Sequence, residues 1–274
     1  METKNKDKKI AVAVYELLGT AFIMYGLMMD QGEPGKATVG ITFAMMILAW
    51  NLSGGHFNPA ISIGMYVSEK DFGGNIVTLL IMLASQFAGA ILGILFGYFS
   101  LIDVTYQDGH MRPEYTEEAK VPGVWVGQIK PTAPSYKTTE LFTRSWQTFF
   151  AMLVSSMILS LGYTSIKSLH TRLCDDNLVN CTLIFLFLST CYSLDALFGS
   201  AGLNTALTTA YIIFEVSQYK TPNTVTEGYI LDHYLWAYIF ATCLGGALGG
   251  LLHMVHTKCS ETKGRDNDKE ELLD

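Results

Sequence analysis

Long apolar segments separated by polar connections run through most of the chain. The apolar segments cover residues 10–29, 37–52, 75–100, 145–164, 181–198 and 229–256. A helix needs about 20 mostly apolar residues to cross the hydrocarbon of a bilayer, so this pattern predicts six transmembrane helices. Two further apolar stretches, 57–67 and 203–214, are long enough for only about half that thickness. Each follows directly on a predicted span, and we expect both to enter the membrane without crossing it.

Polar segments define the remaining organisation of the chain. We do not expect the lysine-rich start to be a signal peptide, because it has many charges and no cleavage site. Residues 101–140 hold four of the seven prolines and are predicted to form a long solvated loop. The predicted parts are a polar N-terminal segment (1–9), a membrane domain (10–256) whose halves cover 10–100 and 141–256, and a charged tail (257–274). We expect no regular structure in this tail.

The composition indicates a protein that lives in lipid. Only 16 % of the residues are charged, whereas soluble domains carry about a quarter, so the bilayer is the expected partner. A net charge of -7 without a basic patch argues against a nucleic-acid partner, and we expect none. Lysines near the N-terminus, together with Lys167 and Arg172 in the fourth connection, place both ends of the chain on the inner side of the membrane.

The first short apolar stretch opens with the most informative sequence in the chain, residues 53–64 (SGGHFNPAISIG). Asn58 is a good helix N-cap, and Pro59 falls at the first helical position, where its missing N–H costs nothing. The helix would start near the middle of the bilayer, where an unsatisfied backbone N–H is expensive. Such an N-terminus is stable only if it faces a polar cavity or a permeating molecule.

A weaker copy of this sequence stands at the second short stretch, where Asn204 can cap a helix and Thr205 occupies the place of the proline. The two halves also begin alike. Glu16 and Thr20 are four residues apart on one helix face, and so are Arg144 and Thr148. An odd number of crossings inverts the second copy, so the two half-helices enter from opposite faces. Each N-terminus carries about +0.5 elementary charge, and this field favours a pore for small uncharged molecules.

These residues resemble the major intrinsic protein family, the aquaporins and glycerol facilitators, over residues 10–256. The segments 53–64, 16–20 (ELLGT) and 86–90 (QFAGA) carry the resemblance. It implies an all-α membrane protein of six transmembrane helices and two re-entrant half-helices in an inverted repeat. It also implies the pore motifs Asn58, Pro59, Ala60 and Asn204, Thr205, Ala206, a pore-lining His56, and structural support from Glu16, Thr20, Gln86 and Arg144.

The chain departs from the family pattern at the outer constriction. The family has an arginine at the last place of the second motif, where this chain has Leu207. The other constriction positions carried over from the family are Val39 (or Thr38), Tyr192 and Ala201. Such a constriction is mostly apolar, so it excludes cations less well and offers fewer partners to a dehydrating permeant.

Two further residues are open to more than one interpretation. Arg144 stands where the family has a glutamate that accepts hydrogen bonds from the re-entrant loop, and Glu140, one turn earlier, takes this role if the register shifts. Asp195, inside the fifth apolar segment, is either a functional acid or a residue at the polar end of its helix.

The sequence predicts a passive channel for water or small neutral solutes such as glycerol, and the family resemblance implies assembly as a homotetramer. It leaves a second hypothesis open, a transport-inactive subunit of a larger membrane complex, because Leu207, Thr205 and Arg144 all depart from the channel pattern. The five scattered cysteines and the lack of a catalytic constellation predict no enzyme, cofactor or metal site. Both the plasma membrane and an organelle such as the mitochondrion remain open as locations.

Overall fold

The computed structural model describes residues 2–30, 35–101, 138–172, 174–195, 200–218 and 225–271, and the regular structure in this part of the chain is helical. These residues form eight α-helices and one 3-10 turn at Ser200–Leu203. The helices are α1 (Glu2–Met29), α2 (Lys36–Ala49), α3 (Pro59–Glu69), α4 (Phe72–Leu101), α5 (Thr138–Lys167), α6 (Asn177–Leu194), α7 (Thr205–Gln218) and α8 (Val225–Glu271).

Five of the helices in the described part are long and apolar enough to cross a membrane. Their apolar spans are Lys8–Met29, Phe72–Ser100, Ser145–Lys167, Asn177–Leu194 and Leu235–Ser260. The remaining predicted crossing corresponds to α2, which has only 14 residues. This helix ends earlier than the apolar pattern suggests because the N–H groups of Leu52, Ser53 and Gly54 all turn back to the Ala49 carbonyl. The chain thereby leaves α2 and starts the loop that leads to α3.

The two half-length helices begin directly after the predicted capping asparagines. α3 has 11 residues, and the Asn58 side chain accepts the Ala60 N–H at its start. Lys70 caps its C-terminus, where it adopts a φ of 60° and donates its N–H to the Val67 carbonyl. α7 has 14 residues and follows Asn204. Both helices therefore start inside the protein, as the cap residues predict.

Rows of glycines pack the long helices in two equivalent pairs. Gly89 and Gly93 on α4 lie against the backbone of α1, and Gly245 and Gly249 on α8 lie against the backbone of α5. A Cβ atom on Gly249 would stand 2.6 Å from the carbonyl oxygen of Met157, so the contact has no room for a side chain. The same contact thus occurs once in each half of the chain. Each half-helix packs on a long helix of the other half of the chain, because α3 packs on α8 and α7 packs on α4.

Both ends of the chain are more helical than the sequence pattern predicts. α1 already begins at Glu2, and α8 continues to Glu271. The prediction of an irregular tail is therefore wrong for the backbone of residues 257–271. α8 is already nucleated in its apolar part, so each further residue requires only the favourable propagation step. Of the predicted loop 101–140, residues 102–137 lie outside the described part of the chain.

Candidate functional site

The N-termini of α3 and α7 meet through their capping asparagines. Asn58 Nδ2 donates to the carbonyl oxygen of Leu203 at 3.1 Å, and Asn204 Nδ2 donates to the carbonyl oxygen of Phe57 at 2.7 Å. Each asparagine thus bonds to the residue that precedes the opposite asparagine. Both side chains are buried. The two motifs therefore lie at one depth, as an inverted pair of half-helices requires.

Each capping side chain keeps one donor that these contacts do not use. Asn58 Oδ1 accepts the Ala60 N–H at 3.0 Å, and Asn204 Oδ1 accepts the Ala206 N–H at 3.1 Å. A side-chain amide carries two N–H donors, and the opposite backbone carbonyl takes one of them. The second N–H of each amide is available to a molecule in the space beside the pair.

A narrow cavity lies beside the asparagine pair. The apolar part of its wall consists of Ile23, Met46, Phe57, Ile61, Leu159, Ile184 and Leu188, and the rest consists of Thr42, Gly55, His56, Asn58, Tyr192 and Asn204. It offers about 20 Å³ to the centres of water-sized molecules. One water needs roughly 10–15 Å³ by this measure, so the space holds one or two waters.

The Glu16 carboxylate holds the loop that precedes α3. Its Oε1 accepts the Ser53 hydroxyl at 2.7 Å and the His56 N–H at 3.1 Å, and its Oε2 accepts the Phe57 N–H at 2.8 Å and the Gln86 side-chain amide at 2.7 Å. Glu16 and Gln86 are both fully buried. Four donors on two carboxylate oxygens offset the loss of hydration that burial causes. Glu16 and Gln86 thus both take part in fixing the loop.

Phe57 adopts a left-handed backbone conformation, with a φ of 49°. This conformation is unfavourable for a bulky side chain and persists only where the surroundings impose it. Glu16 binds its N–H, Asn204 binds its carbonyl oxygen, and its ring packs directly against Gly19, where no Cβ atom would fit. The two glycines at the start of the loop also have positive φ. The Phe57 carbonyl, which accepts the Asn204 amide, is therefore held in place by contacts on both sides of this residue.

His56 lines the cavity with its ring fixed in orientation. Its Nδ1 lies 3.1 Å from Ser62 Oγ, which also accepts the Gln86 side-chain amide at 2.9 Å. The ring stands edge-on to Tyr163 at a centroid distance of 5.0 Å, and the Tyr163 hydroxyl donates to the Gly54 carbonyl at 2.6 Å. These contacts occupy Nδ1 and leave Nε2 for a molecule in the cavity. Sequence reasoning missed Ser62 and Tyr163, although Ser62 lies one helical turn after Asn58.

Thr205, which replaces the proline of the second motif, ties the start of α7 to α8. Its hydroxyl bonds to the hydroxyl of Thr242, and Thr242 Oγ1 donates to the Tyr238 carbonyl at 2.6 Å. Because Thr242 uses its proton on that carbonyl, Thr205 is the donor between the two hydroxyls. A proline offers no such bond. No sequence signal pointed to Thr242, because its role depends on how α8 packs against α7.

The predicted supports in the second half are described only in part. The side chains of Arg144 and Glu140 lie outside the described residues, so their roles stay predictions. Asp195 is buried at the end of α6, where its Oδ1 accepts the Ser155 hydroxyl at 2.9 Å. In the first half, Thr20 is fully buried, and its hydroxyl has no hydrogen-bond partner within the described part of the chain.

The structure places the predicted constriction residues in different surroundings. Tyr192 lines the cavity. Leu207 is 1 % exposed and packs within the hydrophobic core, outside the wall of this cavity. Val39 is partly buried and packs against the same core. The side chain of Ala201 lies outside the described residues.

Thr42 lines the cavity from α2, whereas Thr38 does not. Thr38 is fully buried, and its N–H and hydroxyl bond to one Asp30 carboxylate oxygen at 2.7 and 2.8 Å. Thr42 follows one turn later and donates its hydroxyl to the Thr38 carbonyl at 2.7 Å. Thr42 was not among the candidates named from the sequence, and the places of Val39 and Thr38 in an outer constriction stay predictions.

Comparison with known proteins establishes the family. A family profile described as "Major intrinsic protein" matches residues 14–253, and the chain belongs to this family. An aquaglyceroporin of Toxoplasma gondii (strain ATCC 50611 / Me49) is 35 % identical over 97 residues, which cover 34 % of this chain and 36 % of that protein. The chain is thus matched to about a third of the length of this relative.

A solved structure has the same fold. The X-ray structure of the aquaglyceroporin from Plasmodium falciparum matches with a TM-score of 0.65 and 17 % identity, over 90 % of this chain and 96 % of that one. The resemblance drawn from the sequence and the predicted all-α membrane fold with its two half-helices are therefore confirmed. The chain is an integral, multi-pass membrane protein.

Proposed function

We propose that the chain is a passive channel that conducts water past the paired asparagines. The observation that carries this proposal is the reciprocal contact of Asn58 and Asn204 on the wall of a cavity of water size. Each amide keeps one donor for an oxygen atom, and His56 Nε2 adds a third polar contact. Apart from Thr42, Gly55 and Tyr192, the remaining wall is apolar, so it offers a passing molecule few other partners and water crosses without being held.

The size of the cavity favours water over larger solutes. A space for one or two waters excludes glycerol unless the wall widens, and Tyr192 is the largest side chain among its polar lining residues. The relatives named above are called aquaglyceroporins, which supports the extension of the proposal to glycerol-like solutes. We therefore assign water as the main permeant and Tyr192 as the residue that limits the passage of glycerol.

The field at the centre of the conduit discriminates against cations. Two helix N-termini face the asparagine pair, and each contributes about half a positive elementary charge. A neutral water molecule can offer its oxygen to both amides in turn, whereas a cation meets only donors there. We extend the proposal to a homotetramer in which each chain has its own pore, as the family resemblance implies.

Osmotic shrinkage of proteoliposomes, followed by stopped-flow light scattering, tests the proposal. Wild-type protein is expected to shrink faster than empty liposomes in an impermeant osmolyte. Tyr192→Trp narrows the cavity and is expected to abolish most of this increase, whereas Phe240→Trp, at an exposed aromatic residue of α8, is the matched control and keeps it. Wild-type protein that is folded yet no faster than empty liposomes would favour the alternative, a transport-inactive subunit of a membrane complex.

A further inference from the structure

A cationic side chain lies at one end of the loop that carries His56. Lys167, the last residue of α5, donates from Nζ to the carbonyl oxygen of Trp50 at 2.8 Å. The same nitrogen stands 3.8 Å from the centroid of the Trp50 ring. Trp50 is 6 % exposed and directly follows α2. The Lys167 ammonium is half-buried, and its two contacts with Trp50 fix its position.

Aromatic contacts connect this ammonium to the cavity. The Trp50 ring lies 6.3 Å from the Tyr163 ring, and the Tyr163 ring lies 5.0 Å from the His56 ring on the cavity wall. The series of contacts that starts at Lys167 thus ends at His56. Rings and buried backbone separate the two groups, so the charge of Lys167 is screened less than a charge in bulk solvent.

The Lys167 ammonium is a positive charge in a chain that lacks the positive charge of the family arginine at another place. The family arginine is replaced by Leu207, a neutral residue that packs in the hydrophobic core. Glu16 lies behind the same loop, but its carboxylate is matched by four donors of the loop and of Gln86. A fixed ammonium beside the loop therefore adds a positive potential to that of the two half-helix N-termini.

We propose that Lys167 is a specificity-determining residue that excludes cations at the inner mouth of the conduit. The inner side follows from the clustering of lysines near the N-terminus and in the connection after α5. This inference rests on the proposed function, because it assigns charge selectivity to a conducting pore. Lys167 touches no permeating molecule in this role and acts through the potential that it imposes at His56.

Two permeabilities, measured on the same proteoliposomes of the full chain, test the proposal. Water is followed by osmotic shrinkage, and potassium by its efflux down a gradient. Lys167→Met keeps a long side chain over the Trp50 ring and removes the charge, Lys167→Arg keeps the charge, and Lys167→Glu reverses it. Lys8→Met removes an exposed lysine on the same side of the membrane and is the matched control.

The expected result separates charge from packing. Potassium permeability should rise about tenfold in Lys167→Met, as one weakly screened charge near a low-dielectric path would cause, and further in Lys167→Glu. Water permeability should stay within about twofold of wild type, and Lys167→Arg and Lys8→Met should match wild type in both. If Lys167→Glu conducts water but no more potassium than wild type, the assignment of Lys167 is overturned while the channel stands. If neither wild type nor any variant conducts water, the proposed function fails, and this inference fails with it.

Discussion

The Glu16 carboxylate accepts the backbone N–H of Phe57 at 2.8 Å. The carbonyl of the same phenylalanine receives the Asn204 amide of the other half of the chain at 2.7 Å. A buried acid on α1 therefore positions the point at which the two half-helices join. Because Phe57 has a positive φ, this peptide unit depends on both contacts for its orientation. The geometry of the conduit thus depends on a residue that does not line it.

Glu16→Gln tests this dependence. One of the two carboxylate oxygens becomes an NH₂ group, which cannot accept the two donors that this oxygen binds, Phe57 and Gln86 at Oε2 or Ser53 and His56 at Oε1. We expect a loss of about 3 kcal/mol in the free energy of unfolding, the typical value for buried contacts to a charged group. Water permeability should fall with it. Unfolding in mixed micelles and osmotic shrinkage measure the two effects.

Thr20→Val is the matched control for that substitution. Thr20 lies one turn after Glu16 on the same helix, and its hydroxyl has no hydrogen-bond partner within the described part of the chain. Removal of an unpartnered buried hydroxyl by a residue of the same shape is nearly neutral or stabilising. Equal destabilisation by Thr20→Val and Glu16→Gln would show that general packing, and not the anchoring of the loop, explains the effect.

The bond between Thr205 and Thr242 predicts a coupled pair. Thr205→Val and Thr242→Val should each reduce the free energy of unfolding by about 1 kcal/mol, the usual net value of a hydrogen bond. The double variant should lose less than the sum of the two, because the second change removes a partner that is already unpaired. Strict additivity in this double-mutant cycle would mean that the hydroxyl contact does not stabilise the start of α7.

Replacing two different helix glycines by alanine is predicted to change the stability in opposite directions. A Cβ atom on Gly250 would collide with the backbone of Gly64 on α3, whereas a Cβ atom on Gly40 of α2 would meet nothing within 4 Å. Gly250→Ala should therefore cost about 1–3 kcal/mol through overpacking. Gly40→Ala should gain up to about 1 kcal/mol, because alanine is the better helix former. Thermal unfolding in detergent distinguishes them, and similar shifts for both would contradict the packing of α3 on α8.

The half-helices could be predicted from the sequence because their determinants are local. Asn58 and Pro59 are cap and first-turn residues, and a stretch of half-bilayer length has few other uses inside a membrane. Glu16 and Gln86 were found through the family resemblance, and the structure shows the hydrogen bonds that join them. The sequence identifies a residue well when the role of that residue depends on its neighbours along the chain or on a motif.

The remaining features depend on packing between distant segments. The sequence named Val39 and Thr38 for the outer constriction and did not name Thr42, which lines the cavity beside the asparagines from α2. Thr242 and Lys167 act through residues more than thirty positions away in sequence. The helical tail was missed because its charges alone favour a solvated coil, whereas its attachment to α8 favours continuation of the helix.

Tyr192 predicts which solutes pass. Tyr192→Ala removes the phenol ring from the cavity wall, so glycerol permeability should rise several-fold while water permeability stays equal to wild type or increases. Phe187→Ala removes a partly exposed ring from another face of α6 and serves as the control. Glycerol-driven swelling of proteoliposomes measures the change. Glycerol permeability that is unchanged in Tyr192→Ala would place the limiting constriction elsewhere.

The central claim is that water passes through the cavity beside Asn58 and Asn204. Thr42→Cys places a thiol on the wall of that cavity, and Ala44→Cys places one on an exposed position of the same helix. The measurement is the osmotic water permeability of both variants and of wild type, with and without mercuric ion. We predict that mercuric ion blocks water flow in Thr42→Cys alone and that a reducing thiol restores it. Undiminished flow in Thr42→Cys whose new thiol has bound mercury would contradict the account.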